Sequence, residues 1–282
     1  MKIAVSVETT CDLTKELLQQ YDLKQIPFHI TLGDKLFLDG EITTQEMFDY
    51  VDETGVLPKT NAINEFEYAE YFENLKKDYD AIIHISLSSG LSSSCSNAKR
   101  AAQEMKDVYV VDSQSLSTGI GLLAIYAAQL VKEGLEPSVI AQQVEKRTAS
   151  VQASFVVERL DYLHKGGRCN LFTLLGATIL KIRPRIVVKN GKMGSDKKFK
   201  GNMGKVVRKY CESVFEDFHN PDLENVFITC TSASEEMLEE VRMAVKEKGF
   251  KNVYETRAGG TIASHCGANT LGVLFFNDGD KK

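Results

Sequence analysis

The chain of 282 residues lacks several signatures of catalysis and metal binding. Its cysteines include no Cys-x-x-Cys pair, which argues against a zinc site or a disulfide framework and fits a reducing compartment. The histidines lack the His-Glu-x-x-His spacing, and no nucleotide P-loop ending in Gly-Lys-Ser/Thr is present. We therefore expect a protein with no metal ion and no cofactor. The six cysteines stand at positions 11, 95, 169, 211, 230 and 266.

Long apolar runs are also missing from the sequence. No window approaches the ~18 apolar residues of a membrane-spanning helix, and Glu8 comes too early for the apolar core of a signal peptide. The hydrophobic fraction of 43% and the charged fraction of 26% are typical of a globular protein. We expect a cytoplasmic protein with roughly two domains of about 150 residues each.

The charge is distributed unevenly along the chain. Between Lys165 and Lys209 there are thirteen lysines and arginines and one acid, Asp196, so this stretch carries +12. The net charge of the whole chain is −5, so the residues outside this stretch together carry −17. Such a stretch attracts an anionic membrane or an acidic protein, or is simply the solvated face of a helix and hairpin. We expect no nucleic acid partner, because aromatic residues are sparse there and no recognition motif occurs.

Strands and helices alternate in the first half of the chain. This order is typical of a parallel sheet covered by helices, in which ligands bind beyond the carboxyl ends of the strands. The residues from Ile26 to Leu32 alternate as in a single half-buried strand, and Asp12 is placed to cap a helix over 13–20. Buried strands are expected at 2–7, 81–85 and 108–111.

A hairpin interrupts this alternation in the second half. Asn190-Gly191 predicts a tight turn between strands at 185–189 and 192–199, and a helix is expected near 171–180. The predicted fold class is therefore α/β. A domain with a parallel sheet is expected at 1–155, and a mixed α/β domain at 156–282.

A serine-rich loop is the most informative segment. Seven serines lie between Ser86 and Ser96, directly after an apolar strand, and the loop contains Gly90 and leads into a helix. Hydroxyl and N–H donors at such a turn hold an anion. Without a P-loop ending, a carboxylate or a single phosphate is favoured over a triphosphate. The alternative is a polar loop with a serine cap.

Other polar landmarks also fall at predicted strand ends or loops. Serine and threonine hydroxyls, a histidine and an arginine, with no buried acid nearby, suit the binding of one carboxylate. These landmarks are Thr9-Thr10-Cys11-Asp12, Lys59-Thr60-Asn61, Gly166-Gly167-Arg168 and Ser264-His265-Cys266-Gly267.

A hydrolase is the alternative from a different functional class. Ser92 or Cys266 would act as the nucleophile with His265, and a triad of Ser92, His265 and Asp112 stays open at this point. Two observations argue against a hydrolase. The side chains of adjacent residues such as His265 and Cys266 seldom contact each other, and the Gly-x-Ser-x-Gly elbow is missing.

Taken in order, these segments resemble the DegV family, whose FakB members are the fatty-acid-binding subunits of bacterial fatty acid kinase. The similarity runs over essentially the whole chain, and the stretch from Leu160 to Arg168 (Leu-Asp-Tyr-Leu-His-Lys-Gly-Gly-Arg) is its most distinctive part. The other matching segments are Thr9–Leu13, Pro58–Thr60, Ser88–Ser92, Val111–Ser113 and His265–Gly267.

The resemblance implies two α/β domains with a long-chain fatty acid in a tunnel between them. It implies that Thr60, Ser92 and His265 hold the carboxylate, with Arg168 near that end and Ser93 as a further candidate. It also implies a lipid carrier that is not itself an enzyme. Such a carrier takes a fatty acid of the palmitate or oleate class and presents it to the catalytic subunit of a fatty acid kinase. Transient contact with an anionic membrane is a further expectation.

The chain also departs from the family pattern in four loops. Glu8-Thr9-Thr10 replaces the usual Asp-Ser-Thr, and Thr60-Asn61-Ala62-Ile63 replaces Thr-Ser-Gln-Pro. Ser93-Ser94-Cys95 replaces Gly-Thr-Tyr, and His265-Cys266-Gly267-Ala268-Asn269 replaces His-x-Gly-Pro-Gly. These changes reshape the loops but keep the three carboxylate ligands, so lipid binding is still expected.

Overall fold

The computed structural model describes residues 1–169 and 182–279. The strands of this part are β1 (Ile3–Glu8), β2 (Leu23–Ile26), β3 (His29–Leu32), β4 (Lys35–Leu38), β5 (Lys59–Asn61), β6 (Ala81–Ser86), β7 (Val108–Asp112), β8 (Val151–Val156), β9 (Ile182–Lys189), β10 (Lys192–Lys200), β11 (Asn225–Cys230), β12 (Asn252–Arg257) and β13 (Leu271–Phe276). Its helices are α1 (Lys15–Gln20), α2 (Thr44–Thr54), α3 (Glu65–Lys76), α4 (Ser94–Ala102), α5 (Thr118–Lys132), α6 (Pro137–Arg147), α7 (Asp161–Gly166), α8 (Met203–Asp217), α9 (Glu235–Lys248) and α10 (Gly260–Cys266).

The first half contains the predicted parallel sheet. Its order is β2-β1-β6-β7, and every neighbouring pair is parallel. All six residues of β6 are buried, which explains why the sequence shows a continuous apolar run there rather than an alternation. The serine loop therefore starts at the carboxyl end of a central strand.

The second half contains a mixed sheet of order β10-β9-β8-β13-β11-β12. One face packs against α8 and α9 in a core of its own. The other face shares a core with α5 and the parallel sheet. Helix α5 is buried on nearly all sides because it packs against strands of both sheets, and this joins the two halves.

The fold is therefore the two-domain α/β architecture expected from the sequence. The boundary expected at 155 falls inside β8. All of β8 pairs within the second sheet. We propose that the boundary precedes Val151.

Two sequence predictions in the first half are wrong: the single strand over 26–32, and the helix cap at Asp12 described below. The residues from Ile26 to Leu32 form two strands in two different sheets, because Pro27 fixes φ and removes a backbone donor between them. The first strand, β2, is in the parallel sheet, and the second joins a three-stranded antiparallel sheet, β4-β3-β5. The helix predicted near 171–180 lies outside the described residues.

Asp12 does not cap the first helix. Thr14 does so instead, since its Oγ1 accepts a hydrogen bond from the Leu17 N–H at 3.3 Å. The Asp12 carboxylate turns away and accepts a hydrogen bond from the Gly259 N–H at 2.8 Å. A residue expected to act locally therefore connects the two ends of the chain.

The basic stretch is partly neutralised by acids within the fold. Arg185 is 2% exposed and ion-paired with Asp196 and Asp217, both at 2.6 Å, so it is not part of a docking surface. Lys197 also pairs with Asp217, and Arg208 pairs with Glu240. The lysines that remain exposed in the hairpin are Lys189, Lys192, Lys198 and Lys200.

Arg185 provides a test of this network. Arg185→Met should lower the free energy of unfolding by roughly 2–4 kcal/mol, because the two aspartates then face each other without a shared cation. Urea unfolding measures this change. Lys200→Ala, on the same hairpin but exposed, is the control and should stay within about 0.5 kcal/mol of the parent protein. Equal stability of both variants would contradict a structural role for the network.

Candidate functional site

A buried carboxylate anchors the start of the serine loop. Glu8 accepts hydrogen bonds from the Leu87 N–H at 2.7 Å, from Ser86 Oγ at 2.5 Å and from the Tyr68 hydroxyl at 2.7 Å. Burial opposes ionisation of Glu8, but the contact with His84 and the hydroxyl donors outweigh it and lower its pKa. The expectation of no buried acid near the polar landmarks is therefore wrong, because Glu8 directly follows the predicted strand at 2–7 and nothing in the local pattern marks it as buried.

The hairpin of the second half closes over the serine loop. Ser88 Oγ donates a hydrogen bond to the Gly191 carbonyl at 2.7 Å, and that carbonyl lies 2.4 Å from the position a Cβ of residue 90 would take. Only glycine at position 90 permits this approach. The contact places Met193, two residues beyond the turn, in the wall of a cavity.

His265 lies on α10, whose first turn is held by two acids from the first half of the chain. Asp39 accepts hydrogen bonds from the Gly260 N–H at 2.8 Å and the Thr261 N–H at 3.1 Å. Asp12 accepts from the Gly259 N–H and from Ser117 Oγ at 2.5 Å. Burial raises the pKa of Asp12 well above its usual range, although these two donors oppose the shift.

The His265 side chain faces Thr60. Its Nε2 is 2.8 Å from Thr60 Oγ1, and its Nδ1 lies 2.5 Å from where a Cβ of residue 166 would be. Nδ1 is buried and has no hydrogen-bond partner in the described part of the chain. A proton on Nδ1 would be an unpaired buried donor, so we infer that the proton is on Nε2. Gly166 thus allows the imidazole to sit where its N–H points toward Thr60.

His265 is uncharged at neutral pH. Burial, together with the positive charge of Arg168, lowers its pKa from 6.5 to about 4. The site therefore offers a ligand a neutral imidazole donor, and it does not form a permanent ion pair with His265.

Arg168 bridges the serine loop and the end of α7. Its guanidinium donates to the Gly166 carbonyl at 2.8 Å and, at 3.4 Å, to the Leu91 carbonyl. A guanidinium has five N–H donors, so three are left by these two contacts. The side chain is exposed and also lines the cavity, which makes it the cationic group at the cavity mouth.

A narrow apolar cavity brings four of the five predicted site residues together: Thr60, Ser92, Arg168 and His265. The volume of this cavity is about 40 Å³. Ser93 is exposed at the start of α4 and does not line this cavity. The lining residues that the sequence did not suggest are Phe28, Ala62, Leu87, Leu116, Met193, Thr261 and Ile262.

A second cavity lies deeper between the sheets. It shares Leu116, Ile262 and Cys266 with the first and is lined almost wholly by apolar surface of strands β8, β11 and β13 and of α10. These three side chains are thus the partition between two stretches of one apolar path. No periodicity in the sequence marks them as a group, because Leu116 lies far along the chain from Ile262 and Cys266, which share α10.

The geometry gives no support to the hydrolase alternative. Ser92 Oγ donates to Ser94 Oγ at 3.3 Å, while the nearest hydroxyl to His265 Nε2 is that of Thr60. Burial raises the pKa of the Cys266 thiol, which disfavours the thiolate. The Asp112 carboxylate accepts from Ser89 and from the Gln114 N–H.

Two further features are missing from residues 1–169 and 182–279. They contain no group of three or more His, Cys, Asp or Glu side chains arranged to hold a metal ion. None of their helices has the length and apolar character needed to cross a membrane.

Fold and site define a class: two α/β domains with an apolar cavity between them that ends in neutral hydrogen-bond donors. The model of the DegV family matches residues 2–278, and the chain belongs to this family.

Individual relatives align with this chain over nearly its full length. A fatty acid-binding protein of Thermotoga maritima is 27% identical over 282 residues, 96% of each chain. The structure of DegV from Bacillus subtilis, a fatty acid binding protein, has a TM-score of 0.84 at 27% identity and covers 98% of this chain and 99% of its own. A DegV family protein from Thermus thermophilus has a TM-score of 0.90 at 24% identity, with coverage of 98% and 99%, and shows the same fold.

The lowered pKa of His265 predicts a pH dependence of stability. Between pH 6.5 and about 4 the unfolded chain binds a proton at this residue that the folded chain does not. The free energy of unfolding should therefore fall as the pH drops through this window, by up to about 1.4 kcal/mol per pH unit from this group.

His265→Gln should remove this contribution and flatten the dependence. Urea unfolding across the window compares the two proteins, and an NMR titration of the imidazole gives the pKa directly. A His265 titration midpoint at its ordinary value, or equal slopes for both proteins, would contradict the prediction.

Proposed function

We propose that this protein binds one long-chain fatty acid, of the palmitate or oleate class, and presents its carboxylate to a separate kinase. The single observation that carries the proposal is the grouping of Thr60, Ser92 and His265 in the lining of one mostly apolar cavity. Fatty acid binding by the Bacillus subtilis and Thermotoga maritima relatives supports it.

The donors suit a carboxylate better than a larger anion. Thr60 and Ser92 offer hydroxyls, and His265 offers an N–H, so a ligand oxygen can replace the Thr60–His265 contact without leaving a donor unpaired. A buried carboxylate without donors would lose several kcal/mol. Arg168 is the only one of the four that is charged at neutral pH, and it stands at the exposed end.

The apolar path suits an alkyl chain. Each buried methylene contributes about 0.8 kcal/mol, so ~14 of them give roughly 11 kcal/mol before the costs of association. The first cavity is too narrow to take a chain unchanged. We propose that the chain displaces the side chains of Leu116 and Ile262 and extends into the deeper cavity.

The exposed end of the site suits presentation of the ligand carboxylate to a kinase. Arg168 keeps N–H donors that can contact a phosphoryl group arriving at the carboxylate. The hairpin lysines that stay exposed form a basic surface beside the serine loop, with which Gly191 is in contact. We propose that an acidic surface of the kinase catalytic subunit docks there, with transient contact to an anionic membrane when the lipid is exchanged. This role places the protein in the cytoplasm.

Two adjacent serines provide the sharpest test of lipid binding. Denaturing extraction and mass spectrometry of the purified protein should release about one fatty acid per chain. Ser92→Ala should weaken palmitate binding about tenfold or more, because a hydrogen bond to a charged carboxylate is lost.

Ser93→Ala is the matched control, since Ser93 is exposed and outside the cavity lining; it should bind like the parent protein. A protein that carries no lipid and binds neither palmitate nor oleate would overturn the proposal. Equal losses in both variants would show that the two serines act through the loop and not through the ligand.

The kinase role has a separate test. With palmitate and ATP, the protein alone should form no acyl phosphate, and addition of a fatty acid kinase catalytic subunit should start its formation. Replacing Lys189, Lys192 and Lys200 together by glutamate should reduce the rate, more strongly at low salt, and leave palmitate binding unchanged.

Lys246→Glu is the control, because this exposed residue lies on α9, which packs in the other core. Acyl phosphate formed without the kinase would contradict the carrier role. A rate unaffected by the triple change would show that docking uses another surface.

A further inference from the structure

One polar group of the cavity wall is left unused by the proposed carboxylate contacts. Thr261 is 3% exposed and lines the first cavity, and its Oγ1 has no hydrogen-bond partner in the described part of the chain. Its own backbone N–H is already bound to Asp39. A buried hydroxyl without a partner destabilises a fold, so such groups are uncommon unless a ligand or water completes them.

The other hydroxyls along the two cavities show that this is an exception. Thr60 contacts His265, and Ser92 contacts Ser94. In the deeper cavity every serine and threonine of the lining has a partner: Ser117 with Asp12, Thr229 with Thr118 and Thr256, Thr231 with the Gly267 carbonyl, and Thr270 with the Cys266 carbonyl. Among the described lining residues, the unpaired hydroxyl is that of Thr261.

Thr261 is placed to meet the ligand close to its carboxylate. It precedes His265 by four residues on α10, so the two side chains lie on the same face, one turn apart, with about 5–6 Å between their Cβ atoms. Both line the first cavity, whereas neither lines the deeper one. A chain whose carboxylate rests at Thr60, Ser92 and His265 therefore comes within reach of Thr261 through its first few carbons.

The surroundings of Thr261 select a neutral partner. Apolar side chains, including Phe28 and Ile262, make up most of this part of the wall. Asp39, the acid that accepts from the Thr261 N–H, is occupied by two backbone N–H groups. A hydroxyl group, which both donates and accepts, is the substituent that pairs with a threonine hydroxyl under these conditions.

From this arrangement we propose, building on the fatty acid site proposed above, that Thr261 recognises a hydroxyl at carbon 2 or 3 of the acyl chain. The preferred ligand is then a 2-hydroxy or 3-hydroxy fatty acid. Unsubstituted acids still bind, but they leave the Thr261 hydroxyl unpaired. The proposal adds a specificity residue to the site and names a narrower class of ligand.

A competition assay with three ligands tests this inference. Hexadecanoic acid, 2-hydroxyhexadecanoic acid and 3-hydroxyhexadecanoic acid displace a fluorescent fatty acid from the protein and from Thr261→Val. In the parent protein, one hydroxy acid should bind about fivefold or more tightly than hexadecanoic acid. In Thr261→Val, which keeps the shape but lacks the hydroxyl, this preference should disappear.

A second variant and a stability measurement separate recognition from folding. Thr261→Ser keeps the hydroxyl and should keep the preference. Thr261→Val should unfold at the same urea concentration as the parent protein or a higher one, because it removes an unpaired buried group. If the valine variant does not fold, Thr261→Ala serves for the same comparison.

The outcomes distinguish this inference from the function on which it rests. Tight binding of hexadecanoic acid with no gain from either hydroxyl overturns the role of Thr261 and leaves the fatty acid site in place. A preference that survives in Thr261→Val also overturns it. Failure of all three acids to bind the parent protein contradicts the proposed function itself.

Discussion

The first turn of the helix Gly260–Cys266 is held by two buried carboxylates from the opposite end of the chain. Asp39 and Asp12 together accept hydrogen bonds from three consecutive backbone N–H groups, at residues 259, 260 and 261. They fix the first turn of a short helix, and that helix carries His265. The position of the imidazole against Thr60 therefore depends on acids more than 200 residues away. Burial of these acids is tolerable because their oxygens accept hydrogen bonds from backbone N–H groups and from the Ser117 hydroxyl.

Burial of His265 also determines its charge. A histidine held between Thr60, Gly166 and the Arg168 charge is kept neutral, so it donates a hydrogen bond without attracting anions strongly. The site thus combines neutral donors inside with one exposed guanidinium outside. Under the proposed function, this arrangement would hold the carboxylate of a fatty acid and leave its outer face open to reaction. Burial also raises the pKa of the Cys266 thiol, so Cys266 is a poor nucleophile although it is next to His265 in the sequence.

The sequence correctly predicted the elements that local residue patterns specify without help from distant segments. The buried strand predicted at 81–85, the hairpin turn at Asn190-Gly191 and the parallel first sheet follow from local periodicity and turn chemistry, and all are present. The prediction of one strand over 26–32 was wrong because alternation continues across Pro27 while the chain changes sheets. Arg185 and its neighbours looked like a surface patch, since the sequence did not show that Asp217 from α8 lies beside them.

For the candidate site, the residue types that hold a carboxylate could be predicted from loop composition and the family resemblance, and the structure places Thr60, Ser92, Arg168 and His265 in one cavity. The sequence by itself determined which residues carry hydroxyl, imidazole and guanidinium groups and that they fall at strand ends and in loops. Only the tertiary structure decided that Ser93 faces solvent while Ser92 faces the cavity, and that Thr261 lines it without a partner. It also decided that Glu8, Asp12 and Asp39 are buried. These outcomes depend on which distant segments meet, and hydrogen bonding and burial between residues far apart in the chain leave no periodic trace in the sequence.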